Sequence, residues 1–425
     1  MKINIPESKK ERIVIIGGGF AGLAMAKKLS KFDYQIVLLD KNNYHQFQPL
    51  FYQVAMSGLE PSSIAFPFRK LFRKRKNVFI RVTEVTSVEA NKNRVKTPLG
   101  YCNYDHLIIA IGADTNYYGN EKIQAKAIPM KSVSEALYLR NAILSDYEKA
   151  LSITDYEERQ GLIDIVIVGG GPTGVELAGA IAEMRKYILP KDYPELNLEE
   201  IEIHLIQGAP KLLDGMSDIS AQKALVYLED LGVKVRLDNY VKDYDGTFAY
   251  LSDGSKIRTN KLIWAAGICG NTLPGLPEKA VTYGNRIAVN TFSKVKDSQN
   301  IYALGDIAYM ETKAFPKSHP QVAQVAIQQG ERLAKNFANH LNDKEWVPFS
   351  YNDKGSMATI GRNRAVVDLP KFSFQGFPAW LVWLLVHLFS ILGTKNKIFV
   401  FLNWVWNYIT YDQSLRLIIK PKSPK

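Results

Sequence analysis

Residues 165–174 read Ile165-Val166-Ile167-Val168-Gly169-Gly170-Gly171-Pro172-Thr173-Gly174, and residues 13–22 read Ile13-Val14-Ile15-Ile16-Gly17-Gly18-Gly19-Phe20-Ala21-Gly22. The two stretches share G-x-G-x-x-G, and every glycine is offset by the same 152 residues (169 − 17). Each apolar run is β-branched and too short for a helix, as a buried parallel strand is. Each glycine cluster opens a helical pattern, with Leu23, Ala26 and Leu29 after the first and Val175, Leu177, Ala178 and Ile181 after the second. Strand, glycine turn, helix therefore occurs twice. A single G-x-G-x-x-G is a weak sign, since ordinary Gly-rich turns carry it. Two copies, each between strand and helix, point to two dinucleotide sites. The first glycine permits the tight turn and the second admits a pyrophosphate. The third lets the helix pack close, so that its N-terminal N–H groups face the phosphate charge.

Working outward, residues 34–40 form a second strand ending in Asp40, with Lys41 just beyond. A carboxylate there accepts hydrogen bonds from ribose hydroxyls. After the second motif, the equivalent strand, residues 201–206, ends at Gln207, and residues 184–200 delay it. A neutral amide does not repel a 2′-phosphate as a carboxylate would, so NADH and NADPH both stay open; a solvated Gln at a strand end is the bland alternative. Residues 107–111 and 262–266 read as strands returning to the two cores, the second closing on Gly267. Residues 300–304 make a further short strand before Gly305-Asp306.

The bulk composition narrows the rest. At 425 residues, two to three domains are expected. Cys102 and Cys269 are the only cysteines, so no disulfide framework or C-x-x-C pair is read. Each is expected to pack as a small apolar side chain near a strand end. The six histidines show no metal-ligand spacing, and no metal is expected. Net charge is +12. From residue 371 onward the cations Lys371, Lys395, Lys397, Arg416, Lys420, Lys422 and Lys425 face one acid, Asp412, and share the tail with Trp380, Trp383, Trp404 and Trp406. Cations beside Trp and aliphatic runs suit an anionic lipid surface, not nucleic acid. The basic run at 69–76 reads as a solvated helix end, with added membrane attraction as the alternative. No secretory signal is read.

These residues resemble the type II NADH:quinone oxidoreductases, single-subunit members of the two-dinucleotide-domain, pyridine nucleotide-disulfide oxidoreductase-like flavoproteins. The resemblance spans about residues 11–411. Beyond the glycine motifs it rests on Asn43-Tyr44-His45-Gln46-Phe47-Gln48-Pro49-Leu50-Phe51-Tyr52-Gln53-Val54-Ala55, on Ala323-Gln324-Val325-Ala326-Ile327-Gln328-Gln329-Gly330, and on the aromatic tail. It implies FAD held by Gly17, Gly19, Gly22, Asp40 and Lys41, with Val85 near the adenine. Gly305 and Asp306 would meet the ribityl chain, and Ala323 and Gln324 the isoalloxazine. It also implies the nicotinamide dinucleotide on Gly169, Gly171, Gly174, Gln207 and Gly267, with Glu176 near the nicotinamide or flavin edge. Lys395 would approach the flavin or quinone mouth.

FAD supplies the hydride and electron chemistry, and the protein placement and field. Disulfide reductases of this superfamily need a cysteine pair beside the flavin, and sulfide-oxidising relatives also use cysteines; neither pattern is present. Gln324 and Gln328 share one helix face and could bind a quinone carbonyl; alone, such a pair is usually a polar surface stripe. Glu176, by itself a first-turn carboxylate favouring the helix dipole, becomes in context a proton or nicotinamide-positioning group. Residues 377–394 and 398–411 read as two interfacial helices separated at Lys395–Lys397, with a single span, a core helix or a dimer contact as alternatives.

The expected fold is α/β: two Rossmann-like domains and a C-terminal amphipathic membrane-anchoring helical segment. The FAD domain is expected at 1–120 and 285–370, the NAD(P)H domain at 121–284 and the anchor at 371–425. The expected reaction passes hydride from NADH, or NADPH, to FAD and then two electrons to a membrane quinone, without proton pumping. An oxidase or a reductase of a soluble acceptor is the alternative. The expected place is the cytoplasmic face of the cell membrane, peripheral or monotopic, with a homodimer through the tail as an option.

Overall fold

Five-residue strand Arg12–Ile16 is buried along its whole length, because neighbours cover both sides of it. In the computed structural model, which describes residues 1–271, 273–412 and 415–419, it lies at the centre of a five-stranded parallel sheet. The order is Ile301–Ala303, His106–Ile109, Arg12–Ile16, Gln35–Asp40, Val78–Val82. Strand Ile165–Val168 occupies the same place in a second parallel sheet, ordered Ile128–Pro129, Leu262–Trp264, Ile165–Val168, Ile203–Ile206, Val233–Arg236. The register is equally plain: Val14 faces Val37 and Leu107, and Ile167 faces Leu205 and Ile263.

The repeat goes further than the sheets. Between its third strand and its returning strand, each copy inserts a three-stranded antiparallel meander. In the first copy this is Ser87–Glu89, Arg94–Thr97 and Gly100–Asn103; in the second, Val241–Tyr244, Phe248–Leu251 and Lys256–Arg258. The two return strands expected from the sequence are the ones that pair with the motif strands. The fold is the α/β architecture the glycine motifs imply.

The chain divides into two units: residues 1–45, 66–114 and 268–353, and residues 46–65, 115–267 and 354–425. These joints differ from the expected ones in four places, the first being that residues 115–120 go with the second unit. Residues 268–284 go with the first unit. Residues 354–370 go with the second, because strands Ser356–Thr359 and Ala365–Asp368 pair with each other and with Ser373–Gln375. Residues 46–65 also go with the second: helix Phe51–Ala55 packs on helix Val133–Ala150. The first unit closes with helix Ala323–His340 lying on helix Phe20–Leu29, where Gly330 allows contact: a Cβ there would sit 2.4 Å from the Ala21 carbonyl oxygen.

The tail forms helices Phe377–Ser390 and Thr394–Thr410. The first is shorter than expected and the second starts earlier, so Lys395 and Lys397 belong to its first turn. The break falls at residues 391–393, where Gly393 takes a φ of +82° that ends one helix and starts the next. No helix among the described residues is long and apolar enough to cross a membrane. Lys420, Lys422 and Lys425 lie outside the described residues.

Candidate active site

The two glycine turns are near copies at atomic detail. A Cβ on Gly22 would lie 2.0 Å from the Gly17 carbonyl oxygen, and one on Gly174 would lie 1.9 Å from that of Gly169. Helix and turn touch there backbone to backbone, and any side chain would push them apart. In contrast, nothing stands within 4 Å of a Cβ on Gly19 or Gly171. Those two positions border open space at the start of helices Phe20–Leu29 and Pro172–Tyr187, which is what a pyrophosphate needs to reach backbone N–H groups.

The strand-end residues complete each turn in the same way. The Gly18 N–H donates to Asp40 Oδ2 at 2.6 Å, and the Gly170 N–H donates to Gln207 Oε1 at 2.8 Å. The Asn42 N–H donates to Asp40 Oδ1, and the Gln207 amide donates back to the Lys211 carbonyl at 3.3 Å. Burial raises the Asp40 carboxyl above its usual range, against the pull of two backbone donors and of exposed Lys41. Gln207 thus keeps the turn-bracing role of Asp40 without its charge.

A cleft of about 640 Å³ opens over the second turn, lined by Gly169–Gly171, Gln207, Tyr118, Tyr240 and Gly267 among others. In the first unit, the Gly305 N–H donates to Gln329 Oε1 at 2.7 Å, and Gln321 donates to the Asp306 carbonyl. Ala323 opens the helix that carries Gln329, and Val85 packs at the edge of the first core. The first turn, Asp40 and the Gly305 turn suit the ADP half and chain of FAD: an open backbone cradle, a carboxylate at a strand end, and a tight glycine turn.

Three site expectations change. Glu176 is the fifth residue of its helix, not in the first turn, and it is buried. Its Oε1 accepts the Trp383 indole N–H at 3.2 Å and the Thr359 N–H at 3.4 Å. Burial pushes its carboxyl up to about 8, so it holds a proton at neutral pH. Trp383, expected as a lipid anchor, is 1% exposed and belongs to the protein interior. An indole N–H needs an acceptor when buried, and Glu176 is that acceptor. Gln328 has both amide groups committed: it donates to the Asn352 carbonyl at 2.9 Å and accepts from the Asn352 N–H at 3.0 Å. A quinone carbonyl would have to displace one of these bonds, so Gln328 braces the chain at residue 352.

Glu176 sits in a network of rings and amides that no motif in the sequence announces. Tyr52, which is buried, accepts a hydrogen bond from Gln53, and Gln53 Oε1 accepts the Trp404 indole N–H at 2.7 Å. Tyr52 and Trp383 rings are 6.3 Å apart, and His387 stacks on Trp383 at 4.0 Å. Burial lowers the His387 imidazole to about 4, keeping it neutral. Tyr52 and Gln53 stand in the quoted stretch 43–55, which was the available signal. Lys395 is exposed, its ammonium 5.3 Å from the Phe399 ring centre. Cys102 is buried in strand Gly100–Asn103 and Cys269 half-buried, both as free thiols whose pKa burial raises.

Both tail helices expose an apolar stripe, and the second turns its polar side inward. On the second, Asn396 donates to the Ser62 and Ala65 carbonyls and Asn407 to the Gly58 carbonyl. Val400 is buried on that side, while Ile398, Leu402, Val405 and Ile409 are exposed on the other. Leu381, Leu385 and Phe389 are exposed on the first helix, opposite buried Ala379 and Trp383.

Twin dinucleotide cradles, with a buried protonated carboxyl beside one of them, define a two-nucleotide flavoprotein oxidoreductase. The pyridine nucleotide-disulphide oxidoreductase family matches residues 11–330, and the NDH2 C-terminal domain matches residues 354–410. The type II NADH:quinone oxidoreductase Ndh of Mycobacterium tuberculosis is 37% identical over 417 residues, covering 95% of this chain and 89% of that one. An internal alternative NAD(P)H-ubiquinone oxidoreductase of Arabidopsis thaliana is 26% identical, covering 95% and 85%. The structure of NDH2 from Plasmodium falciparum in complex with NADH superposes with a TM-score of 0.89 at 23% identity, covering 97% of this chain and 100% of that chain, a likeness of fold. The chain belongs to the type II NADH:quinone oxidoreductases, within the pyridine nucleotide-disulphide oxidoreductase family.

Proposed function

We propose that the chain oxidises NADH at the second cradle and reduces a lipid-soluble quinone through FAD held by the first. FAD, when bound, supplies a centre that accepts hydride and passes on the electron pair. Gly17, Gly19 and Gly22 hold its pyrophosphate, and Asp40 accepts its ribose hydroxyls. Gly169, Gly171 and Gly174 hold the nicotinamide dinucleotide. Gln207 faces the adenosine ribose and tolerates a 2′-phosphate better than a carboxylate does, which keeps NADPH a second substrate. Gln324 donates to a quinone carbonyl as negative charge develops on it. Glu176, protonated at neutral pH, is a proton source for quinol formation, held by Trp383 and Thr359.

The exposed apolar stripes of the two tail helices lie on an anionic lipid surface, with Lys395 and Lys397 at the headgroups. A quinone then reaches the protein from the bilayer. This docking is peripheral, at the cytoplasmic face. A homodimer through the same stripes is the competing use of that surface, and a vesicle-binding assay with a parallel measurement of mass in detergent separates the two.

The observation that carries the reading is the atomic repetition of the glycine turn in two parallel sheets. Its test is an NADH oxidation assay with a quinone analogue and an oxygen electrode. The proposal expects quinone-dependent turnover with little oxygen uptake; oxygen consumption indifferent to quinone would make the chain an oxidase instead.

A further inference from the structure

Tyr118 stands out on the wall of the 640 Å³ cleft over the second glycine turn. It is 70% exposed. Its backbone is left-handed, with a φ of +52°, which a bulky L-residue adopts only when its surroundings enforce it. The surroundings here do enforce it. The Tyr118 N–H donates to Asn116 Oδ1 at 2.8 Å, and the Asn116 carbonyl accepts the Trp264 indole N–H at 2.8 Å. On the other side the Asn120 N–H closes a turn onto the Tyr117 carbonyl, while the Asn120 side chain caps residue 123 and donates to the Lys242 carbonyl. Gly267 makes room for the ring: a Cβ there would stand 2.6 Å from the Tyr118 hydroxyl.

A second exposed ring, Tyr240, lines the same cleft at 55% exposure, beside Gly208 and hence beside Gln207. The two rings sit on either side of the motif strand. Gly267 follows strand Leu262–Trp264, which pairs with one edge of the motif strand; Gln207 follows strand Ile203–Ile206, which pairs with the other. In such a sheet the adenosine ribose lies toward the strand-end residue at 207, so the nicotinamide extends past the glycine turn toward the opposite strand.

We propose that Tyr118 positions the nicotinamide half of the substrate and Tyr240 the adenosine half, each by packing a ring face on its base. This rests on the reading of the second cradle as the NADH site. It also gives a reason for the strained turn: the left-handed backbone aims an aromatic ring into the cleft.

The test uses the full-length, FAD-loaded protein with Tyr118→Ala, Tyr118→Phe and Tyr240→Ala. Affinity for NAD⁺, ADP-ribose and AMP is measured by calorimetry, and KM for NADH by turnover. Loss of one stacking platform weakens binding by about tenfold or more. Tyr118→Ala is expected to lose that factor for NAD⁺ and NADH while keeping ADP-ribose and AMP, and Tyr118→Phe to restore it. Tyr240→Ala is expected to lose it for all of these ligands. Equal weakening of ADP-ribose and NAD⁺ by Tyr118→Ala, or unchanged NAD⁺ affinity, would overturn the assignment while wild-type turnover stands. A wild-type protein that binds none of the three nucleotides would instead overturn the reading of the cradle itself.

Discussion

Glu176 is the residue whose chemistry depends most on its surroundings. With its carboxyl pushed up to about 8 by burial, the folded protein carries one more proton than the unfolded chain between the ordinary value of 4.5 and about 8. The unfolded state binds fewer protons in that window, so stability falls as pH rises through it, by on the order of 1 kcal/mol per pH unit. Glu176→Gln removes this dependence, and the difference between the two denaturation profiles from pH 5 to 9 isolates it. A profile unchanged by the substitution would mean that Glu176 is ionised in the fold. The same variant is expected to slow quinone reduction and leave hydride uptake from NADH intact, as resolved by separate half-reactions. Gln207 offers the second residue-scale prediction. Gln207→Glu places a charge where a 2′-phosphate would lie, and like-charge contact there is expected to favour NADH over NADPH by at least about tenfold in kcat/KM. An unmoved ratio would show that the nucleotide's 2′ position lies elsewhere.

The elements explain why some of the site was legible and some was not. Glycine turns depend on backbone contacts that only glycine permits, so Gly17, Gly22, Gly169 and Gly174 declared themselves in the sequence. Helix Phe377–Ser390 did not, because an apolar helix reads alike whether its tryptophans face lipid or protein. Trp383 is inside because Glu176 accepts its N–H, a pairing across 207 residues that no local pattern records. Domain joints escape a sequence pattern for a similar reason. Residues 46–65 and 354–370 are placed by contacts with distant helices and strands, not by composition. Trp383→Phe keeps most of the packing and removes one hydrogen bond to a buried carboxyl. It is expected to cost about 1–3 kcal/mol and, because that bond lowers the Glu176 pKa, to raise it further. Infrared titration of the protonated carboxyl band reads the shift; a downward movement would contradict the bond's role. Truncation after residue 371 would remove this interior ring, so it tests folding more than anchoring.

At the scale of the whole molecule, surface chemistry separates two parts. The sheets, their meanders and their crossover helices bury apolar side chains in cores around the two motif strands. The tail instead exposes its large apolar side chains in stripes, Ile398, Leu402, Val405 and Ile409 on one helix and Leu381, Leu385 and Phe389 on the other. Leu402→Glu combined with Ile409→Glu changes two residues one helical face apart by two turns, exposed by 56% and 71%. Each loses on the order of 1–2 kcal/mol of apolar transfer, so vesicle binding is expected to weaken by more than about tenfold with the melting temperature unchanged. Retained sedimentation with vesicles would place the membrane surface elsewhere. The central claim concerns the route of electrons: NADH to FAD to quinone with no thiol between. Anaerobic rapid mixing of the Cys102→Ser, Cys269→Ser double variant tests it most directly. NADH is expected to bleach the flavin absorbance and a quinone analogue to restore it, at wild-type rates in both phases; flavin that stays oxidised with NADH, or that regains its colour only when the cysteines are present, would contradict the account.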